Sequence, residues 1–235
     1  MLINKKDISF YGGEIIGKVI ESSKFSASKN WNKGAIAPFT TSKQFTYGTL
    51  TLNLLVSAPS EDLLIINKSN LIKNISESLI KDGEFYLKVT LTSSKESEPY
   101  INKLNEMWSG KVDLTFDIDE KYKEEIIEEI NRVTNKTINV IGNTETPAIV
   151  EIIPTSDLAD IRIEGLADDP IIVKNLTANK KVIIDGELQK ITVDGINKYG
   201  DTDMWDFPSL KPGQNTITVS RNSCDIKIKY KPRYI

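Results

Sequence analysis

Few residues of this sequence have the types and spacing that catalysis requires. The chain contains no histidine, which excludes Ser-His-Asp and Cys-His catalysis and removes the commonest zinc ligand. Gly12, Gly13 and Gly17 fit neither of the glycine-rich patterns that bind nucleotide phosphates. The 33 acidic residues permit a catalytic carboxylate pair, but no spacing selects one. The sequence therefore predicts no catalytic residue, no cofactor and no enzymatic activity.

One cysteine and one group of aspartates remain as candidates for reactive or metal-binding chemistry. Cys224 has no partner for an intrachain disulfide, and its strand-like surroundings predict a small buried hydrophobic residue. Asp201, Asp203 and Asp206, in the segment GDTDMWDFP, resemble a calcium loop loosely. The central glycine and the distal glutamate of that motif are missing. We expect a solvated loop here and no metal site.

Two tryptophans are candidates for contacts with a partner or a ligand. Trp31 lies in the segment SSKFSASKNWNKGAIAPFT, whose polar composition predicts a long loop or an extended arm. It either anchors this arm in a groove of a partner or packs on its own domain. Trp205 is either a platform for a stacked sugar or a partly buried core residue. Its neighbours Phe207 and Pro208 favour the core.

The charge distribution argues against a protein whose main function is to bind nucleic acid. The formal net charge is −3, whereas such a protein carries a basic excess. Residues 1–60 carry seven lysines and three acids, and residues 113–129 carry eight acids and two lysines. These segments form either two solvated surfaces or a complementary pair of subunit surfaces. No apolar run of about 18 residues and no signal-peptide core is present, so we expect no membrane insertion.

The elements that must position these residues are mostly strands. Apolar residues alternate with polar ones in the first 60 residues and again in EFYLKVTLTSS and MWSGKVDLTFDID, which predicts β-strands. Apolar residues recur at helical spacing over residues 69–80. This pattern predicts a helix that Ser69 caps and Asp82-Gly83 ends. The acidic stretch of residues 120–133 predicts a second helical segment.

From residue 147 onward, short strands follow one another without any helical pattern. Seven apolar runs at a spacing of roughly 8–12 residues predict a β-sandwich. Asp-Gly between the apolar runs of VIIDGELQKITV predicts a hairpin. Turn residues cluster in residues 142–147, so we expect a domain boundary between residues 138 and 150, with domains of residues 1–145 and 146–235. The predicted fold class is mainly β.

The C-terminal third also carries an ordered set of motifs. They are IIDGE, a following DG, the segment FPSLKPGQNTI and a terminal YKPRY. This set resembles the distal tail proteins of long-tailed phages that infect Gram-positive bacteria, or of related phage-like particles. The N-terminal half resembles the ring-forming domain of the same family more loosely, through an early DIS, the strand YGTLTLNLL, one helix and alternating strands. The resemblance implies a tail-tube-like β domain with one or two helices, followed by a galectin-like β-sandwich.

The same resemblance implies a structural function at the tip of a virion tail, after synthesis in the cytoplasm of the bacterial host. Proteins of this family form rings of six copies that join the tail tube to the tip protein, or tail-associated lysin, and often carry receptor-binding proteins. DNA passes through the channel of the ring without specific binding. The alternative function is a carbohydrate-binding β-sandwich module on an oligomerising domain, although the chain lacks the histidine that galectins use.

Overall fold

The computed structural model describes residues 1–103 and 106–235. Its backbone contacts fall into two compact units, one of Met1–Lys121 with Ile235 and the other of Tyr122–Tyr234. Each unit has its own cluster of buried hydrophobic residues. Both consist mainly of β-strands, which confirms the predicted fold class.

The first unit is built on an eight-stranded sheet. The strand order is β2-β1-β7-β8-β10-β6-β3, and β9 pairs with β10. Two further strands, β4 and β5, pair with each other in a separate ribbon. The strands are β1 (Leu2–Ile3), β2 (Lys6–Asp7), β3 (Gly13–Glu21), β4 (Phe25–Asn30), β5 (Phe39–Phe45), β6 (Gly48–Ala58), β7 (Glu77–Asp82), β8 (Phe85–Glu96), β9 (Tyr100–Asn102) and β10 (Met107–Tyr122). A short 3-10 helix spans Ile8–Tyr11.

Alternation along β6 and β10 creates the core of this sheet. Every second side chain of β6 is buried, as the period of a strand requires. The antiparallel register places Leu50 opposite Phe116 and Leu54 opposite Val112, and all four side chains are buried. Cross-strand apolar pairs of this kind stabilise the register, because a shift by one residue would expose them all.

One α-helix, α1 (Glu61–Ile75), packs against β6. The Ser60 side chain accepts a hydrogen bond from the backbone N–H of Leu63 at 3.3 Å and so caps the helix. The buried residues of α1 recur at helical spacing and are Leu64, Lys68, Leu71 and Ile75. The expected bounds of residues 69–80 are therefore wrong at both ends, because the helix begins at Glu61 and ends at Ile75.

The residues after α1 form β7, which pairs with both β1 and β8. Asp82-Gly83 belongs to the tight turn between β7 and β8, where Gly83 has a φ of 60°. The signal that we interpreted as a helix stop is thus a hairpin turn. Only two residues of the short strand β7, Ser78 and Ile80, are buried, and so few positions do not distinguish a strand period from a helix period in the sequence.

The second unit consists of two antiparallel sheets. One has the order β11-β22-β13-β16-β17-β18, with β20 paired to β13, and the other has the order β12-β21-β14-β15-β19. The strands are β11 (Ile126–Asn131), β12 (Asn135–Val140), β13 (Thr146–Pro154), β14 (Leu158–Glu164), β15 (Ile171–Leu176), β16 (Val182–Asp185), β17 (Lys190–Val193), β18 (Ile196–Asn197), β19 (Thr202–Asp203), β20 (Ser209–Leu210), β21 (Gly213–Val219) and β22 (Cys224–Tyr230). A 3-10 helix spans Tyr199–Asp201.

Buried residues from both sheets share one core, which makes this unit a β-sandwich. Val150 of β13 and Ile228 of β22 contribute from one sheet, and Ile163 of β14 and Ile217 of β21 contribute from the other. The predicted hairpin is confirmed, because β16 and β17 pair from Asp185↔Lys190 outward. The seven apolar runs expected in this part of the chain all form strands.

The acidic stretch of residues 120–133 is not helical. Tyr122 ends β10, and Ile126–Asn131 form β11, which pairs along its whole length with β22. Ile130 is buried in the sandwich core. Glutamate and lysine favour helices only weakly, and pairing with an adjacent strand overrides that preference.

The division between the two units falls earlier than the expected interval of residues 138–150. Strands β11 and β12 precede that interval, yet they pair with β22 and β21 at the other end of the second unit. Such long-range pairing leaves no local signal in the sequence. Of the turn residues 142–147, residues 142–145 lie between β12 and β13, and Thr146 and Pro147 begin β13, inside the second unit.

Candidate assembly surfaces and a sandwich pocket

The segment expected to be a polar loop or arm is a β-hairpin. Strands β4 and β5 pair only with each other in the part of the chain that the structure describes. Every residue of both strands is exposed. At the base of the ribbon, the rings of Phe25 and Phe45 meet edge to face with centroids 5.4 Å apart. Among the described residues, no other strand pairs with the hairpin, residues 25–45, and the residues of both its strands are exposed.

The tip of this hairpin is held by Trp31. The indole N–H donates to the carbonyl oxygen of Ala35 at 3.1 Å, while the side chain remains 63% exposed. Ile36 is almost fully exposed. Exposed aromatic and aliphatic side chains on a free ribbon are typical of a segment that is buried on a partner. The structure does not support the alternative, in which Trp31 packs on its own domain, because the hydrogen bond of the indole to Ala35 lies within the hairpin.

The hairpin is also basic. Lys29, Lys33 and Lys43 form no ion pair within the described residues, whereas Lys18 pairs with Asp82 at 2.7 Å. Of the five lysines among residues 1–60 that form no ion pair in the described chain, three lie on the hairpin and the other two are Lys5 and Lys6. Charges of this kind steer encounter and fix register more than they add affinity.

Several acidic residues of the segment 113–129 have hydrogen-bond or ion-pair partners within their own unit. Asp113 accepts from the Asn53 amide at 2.6 Å, and Asp119 accepts from the Thr90 hydroxyl at 2.7 Å. Within the second unit, Glu129 pairs with Lys227 at 2.7 Å. The Lys227 ammonium holds the pKa of the Glu129 carboxyl below its usual value. These contacts favour a solvated, internally paired segment over a free acidic surface.

The sandwich has an open pocket with a volume of about 660 Å³. Its polar lining comprises Glu145, Asp168, Gln189, Asp206, Ser209, Lys211 and Asn215, and its apolar lining includes Leu166, Ala167 and Phe207. Sequence reasoning singled out Asp206 and Phe207 but missed the rest. They come from five separate loops and strands, and only the fold brings them together.

Most polar groups of the pocket already have partners. The Lys211 ammonium donates to Asp168 at 2.9 Å, and this hydrogen bond raises the pKa of Lys211. Ser209 donates to the Glu145 carboxylate. In the described part of the chain, the Gln189 amide and the Asp206 carboxylate have no hydrogen-bond partner. These two groups are available to a ligand.

Asn215 closes the turn after the Pro212-Gly213 pair. Its carbonyl oxygen accepts from the Lys211 backbone N–H at 3.0 Å, and its amide donates to the Lys211 carbonyl oxygen at 2.7 Å. A buried amide that is satisfied on both sides fixes the loop that carries Lys211.

Trp205 is not a core residue, contrary to the expectation. Its side chain is 84% exposed. Its neighbours behave differently, because Met204 and Phe207 pack against the sandwich core. Phe207 also stacks on Tyr199, with centroids 6.3 Å apart. The neighbours of the indole are therefore anchored, while the indole itself faces solvent. Leu210 is buried.

The three aspartates of the candidate calcium loop do not converge. Among the described residues, no group of three or more Cys, Asp or Glu residues could hold a metal ion. Asp201 accepts from Lys198 at 2.7 Å and from Asn175 at 3.1 Å. Those hydrogen bonds hold the pKa of the Asp201 carboxyl below its usual value. Asp206 lines the large pocket instead.

Cys224 is buried, as predicted for a small hydrophobic residue. Burial raises the pKa of its thiol, which disfavours the reactive thiolate. In the same described residues, no helix has the length and apolar character needed to cross a membrane.

Comparison with known families identifies the C-terminal part of the chain. Residues 141–234 match the family model described as the C-terminal domain of siphovirus-type tail components. No curated protein matches the sequence. The expected resemblance is thereby confirmed for the sandwich.

Solved structures extend this likeness to the whole chain. The chain is similar to the Dit protein of phage SPP1, with a TM-score of 0.80 and 11% identity over 100% of this chain and 98% of that chain. That protein is described as a paradigm of the hub adsorption apparatus in Gram-positive infecting phages. At this identity, the likeness establishes the fold.

Baseplate structures of phage P2 in the activated conformation are also similar, but less so. The baseplate with Sr gives a TM-score of 0.50 at 14% identity, over 97% of this chain and 94% of that chain. The baseplate with Ca gives 0.49 at 15% identity, over 95% and 92%.

Proposed function

We propose, from the match of residues 141–234 to siphovirus-type tail components, that this chain is a distal tail protein that forms the hub at the tip of a phage tail. The observation that carries the proposal is the likeness to the SPP1 Dit fold, which spans all of this chain and 98% of the other. A likeness over both units favours a whole hub protein over a sandwich attached to an unrelated domain. The function is structural, and no residue is assigned a catalytic role.

The hub is a ring of copies of this chain, with six as the expected number. A ring forms when two different surfaces of one subunit meet head to tail at a fixed rotation that closes. The hairpin of residues 25–45 supplies one of these surfaces. Its exposed Phe25, Trp31, Phe39 and Phe45 provide apolar area, and its free lysines orient the approach.

The ring joins the tail tube to the tail-tip or tail-associated lysin protein and carries receptor-binding proteins. DNA passes through its channel without specific binding. A net charge of −3 suits that passage, because a basic lining would retain a polyanion.

Deletion of the hairpin tests this function. The two ends of the hairpin lie close together, since the Thr46 backbone N–H donates to the Lys24 carbonyl oxygen at 2.9 Å. Residues 25–45 can therefore be replaced by an Asn-Gly turn without displacing β3 or β6. We expect the variant to fold with an unchanged melting temperature and to lose ring assembly in electron micrographs. The smaller deletion of residues 24–37 should weaken assembly in the same way.

A matched control is Trp205→Ala, which removes an exposed tryptophan of the sandwich and should leave rings intact. Rings formed equally well by the hairpin deletion and by the control would contradict the assigned role of the hairpin. A hairpin deletion that lowers the melting temperature would show that the segment supports its own domain instead.

A further inference from the structure

We propose that Asp194 is the site of a spontaneous covalent modification, in which the Asp194-Gly195 linkage isomerises to isoaspartate in the folded protein. This inference goes beyond the hub function and does not rest on it. It concerns one turn of the sandwich and needs no assembled ring.

Asp-Gly sequences are the places in a chain where this reaction meets the least steric hindrance. The amide nitrogen of the following residue must reach the carboxyl carbon of the aspartate, and glycine has no Cβ to block that approach. The chain contains three such sequences, at Asp82, Asp185 and Asp194, and no Asn-Gly. The contacts around the three aspartates differ, and they decide which linkage can react in the folded state.

The linkage at Asp82 is held through its side chain. Asp82 ends β7, where it pairs with Phe85 of β8. The Lys18 ammonium donates to both of its carboxylate oxygens at 2.7 Å. Because a charged donor fixes the carboxylate in this way, the carboxyl carbon cannot turn freely toward the Gly83 nitrogen.

The linkage at Asp185 is held on both reacting groups. One carboxylate oxygen accepts from the backbone N–H groups of Glu187 and Leu188, each at 2.9 Å. The Gly186 N–H donates to the Ala148 carbonyl oxygen at 3.0 Å. Neither the nitrogen nor the carboxyl group can approach the other without breaking these hydrogen bonds.

The linkage at Asp194 lacks restraints of this kind. Asp194 and Gly195 form the two-residue loop between β17 and β18, with φ values of 52° and 79°. The Asp194 side chain is 64% exposed, and its ion pair with the exposed Lys180 is 3.8 Å long, so it gives little hold. The Gly195 N–H has no acceptor within the described residues, and no atom lies within 4 Å of a Cβ added there.

The strand after this loop gives it little support. Strand β18 consists of Ile196 and Asn197 alone and lies at the edge of its sheet. Two-residue pairings at an edge open locally at a low cost in free energy. Each opening allows the Asp194 carboxyl group and the Gly195 nitrogen to approach each other.

The reaction needs no enzyme, oxidant or cofactor. The Gly195 nitrogen attacks the carboxyl carbon of protonated Asp194, a carbon–nitrogen bond forms, and the carboxyl OH leaves with the amide proton as water. The product is a succinimide. Water then adds to the main-chain carbonyl carbon of this ring and breaks its bond to the Gly195 nitrogen. The chain now continues through the side-chain carbon of Asp194, with no net change in atoms.

The modification alters a defined part of the sandwich surface. Isoaspartate adds a methylene group to the backbone of the loop, so the loop no longer matches the pairing of Val193 with Ile196. Val193, Asp194 and Ile196 also line a second cavity, with a volume of about 260 Å³. Isomerisation therefore changes the lining of this cavity and the position of a negative charge in it.

Incubation of the full-length folded protein at physiological pH and temperature, followed by peptide mapping, tests the proposal. Trypsin places the three Asp-Gly sequences in separate peptides, of residues 82–88, 182–190 and 191–198. Electron-transfer fragmentation locates isoaspartate, and methylation by an isoaspartyl methyltransferase quantifies it. We expect at least about tenfold more isoaspartate at Asp194 than at Asp82 or Asp185, because only its loop opens cheaply. In urea the three sites should react at similar rates.

Two variants and a matched control assign the reaction to this linkage. Asp194→Glu should abolish the isoaspartate of the folded protein, because the longer side chain must close a larger ring. Gly195→Ala should slow the reaction, because the added Cβ hinders the nitrogen. Asp203→Glu changes an exposed aspartate that methionine follows and should leave the amount of isoaspartate unchanged.

Two outcomes would overturn the proposal. Equal amounts of isoaspartate at all three sites of the folded protein would show that the contacts of Asp82 and Asp185 give no protection. Absence of isoaspartate at Asp194 in the folded protein, while the chain in urea reacts there, would show that the loop between β17 and β18 stays closed.

Discussion

Gly165 illustrates how a single residue shapes the sandwich. It follows β14 with a φ of +88°, a conformation that side chains with a Cβ rarely adopt. The Thr216 carbonyl oxygen of β21 would lie 2.1 Å from any Cβ added there. Conformation and space therefore both require glycine at this position, which also lines the sandwich pocket.

Gly165→Ala should destabilise the protein by about 3 kcal/mol or more, because the backbone must move or β21 must shift. Gly195→Ala is the matched control, with a similar φ of +79° but no atom within 4 Å of the added Cβ. It should cost only about 1 kcal/mol, from the backbone conformation alone. Urea unfolding of both variants measures the difference. Equal losses would show that the close contact with Thr216 carries no cost.

Glu151 is a second residue whose environment has a measurable consequence. Burial disfavours its charged form, but hydrogen bonds from Lys229 at 2.7 Å and Lys181 at 3.2 Å outweigh burial and lower the pKa of the carboxyl. A lowered folded-state pKa contributes stability above the unfolded pKa, and this contribution is lost as the pH falls through the folded value.

Glu151→Gln should therefore be less stable than the wild type at pH 7, with a difference that shrinks as the pH falls below about 4. Glu164→Gln, which removes an exposed partner of Arg162, is the control and should show almost no difference at any pH. Thermal unfolding across this pH range is the measurement. A difference between Glu151→Gln and wild type that grows on acidification would contradict the sign of the pKa shift.

At the scale of elements, the sequence indicates strands more reliably than helices. Apolar and polar residues alternate continuously in β6 and in the sandwich strands, and the structure has strands there. The alternation arises because one face of each strand is buried. The predicted helix was misplaced because the spacing of Ile72, Leu79 and Ile80, across the junction of α1 and β7, fits both a helical and a strand period. The true start signal was Ser60 followed by Glu61 and Asp62.

Substitutions of two serines distinguish the expected helix cap, Ser69, from the observed one, Ser60. Ser60→Ala should destabilise the protein by about 1 kcal/mol, because the N–H of Leu63 loses its acceptor. Ser69→Ala lies inside α1 and should be neutral or slightly stabilising, since alanine is the better helix former. Denaturant midpoints measure both effects. A larger loss for Ser69→Ala would place the start of the helix where the sequence pattern first indicated it.

For the candidate surfaces, composition indicates which segments are exposed but not how their strands pair or which side chains face solvent. The polar composition of residues 22–40 indicates an exposed arm, but it gives no sign of the β4–β5 pairing that stiffens this arm. Trp205 was expected in the core because its neighbours are apolar. The structure anchors those neighbours and exposes the indole, a distinction that depends on the bend between β19 and β20 and not on composition.

At the scale of the whole molecule, the family resemblance predicted the tail function, which the periodicity and charge of the chain do not indicate. The motifs of the last 55 or so residues indicate the sandwich and its family, and residues 141–234 match that family. The start of the second unit at Tyr122 could not be predicted, because β11 and β12 pair with strands that lie about 80 to 100 residues later in the chain.

We propose that the second unit folds by itself as a domain, and limited proteolysis tests this. The expected stable fragment begins near Tyr122 and contains about 113 residues, because a shorter fragment of residues 146–235 would lack two strands of the sandwich. Mass spectrometry of the resistant fragment determines its start. A stable fragment that begins at residue 146 would show that β11 and β12 are dispensable.

Electron microscopy of intact phage particles tests the central claim most directly. Antibody fragments raised against the sandwich should label the tail tip, and averaged images should show a ring of this chain, with six copies, around an axial channel between the tube and the tip protein. A particle in which this chain is absent from the tail tip, or forms a closed dimer without a channel there, would contradict the account.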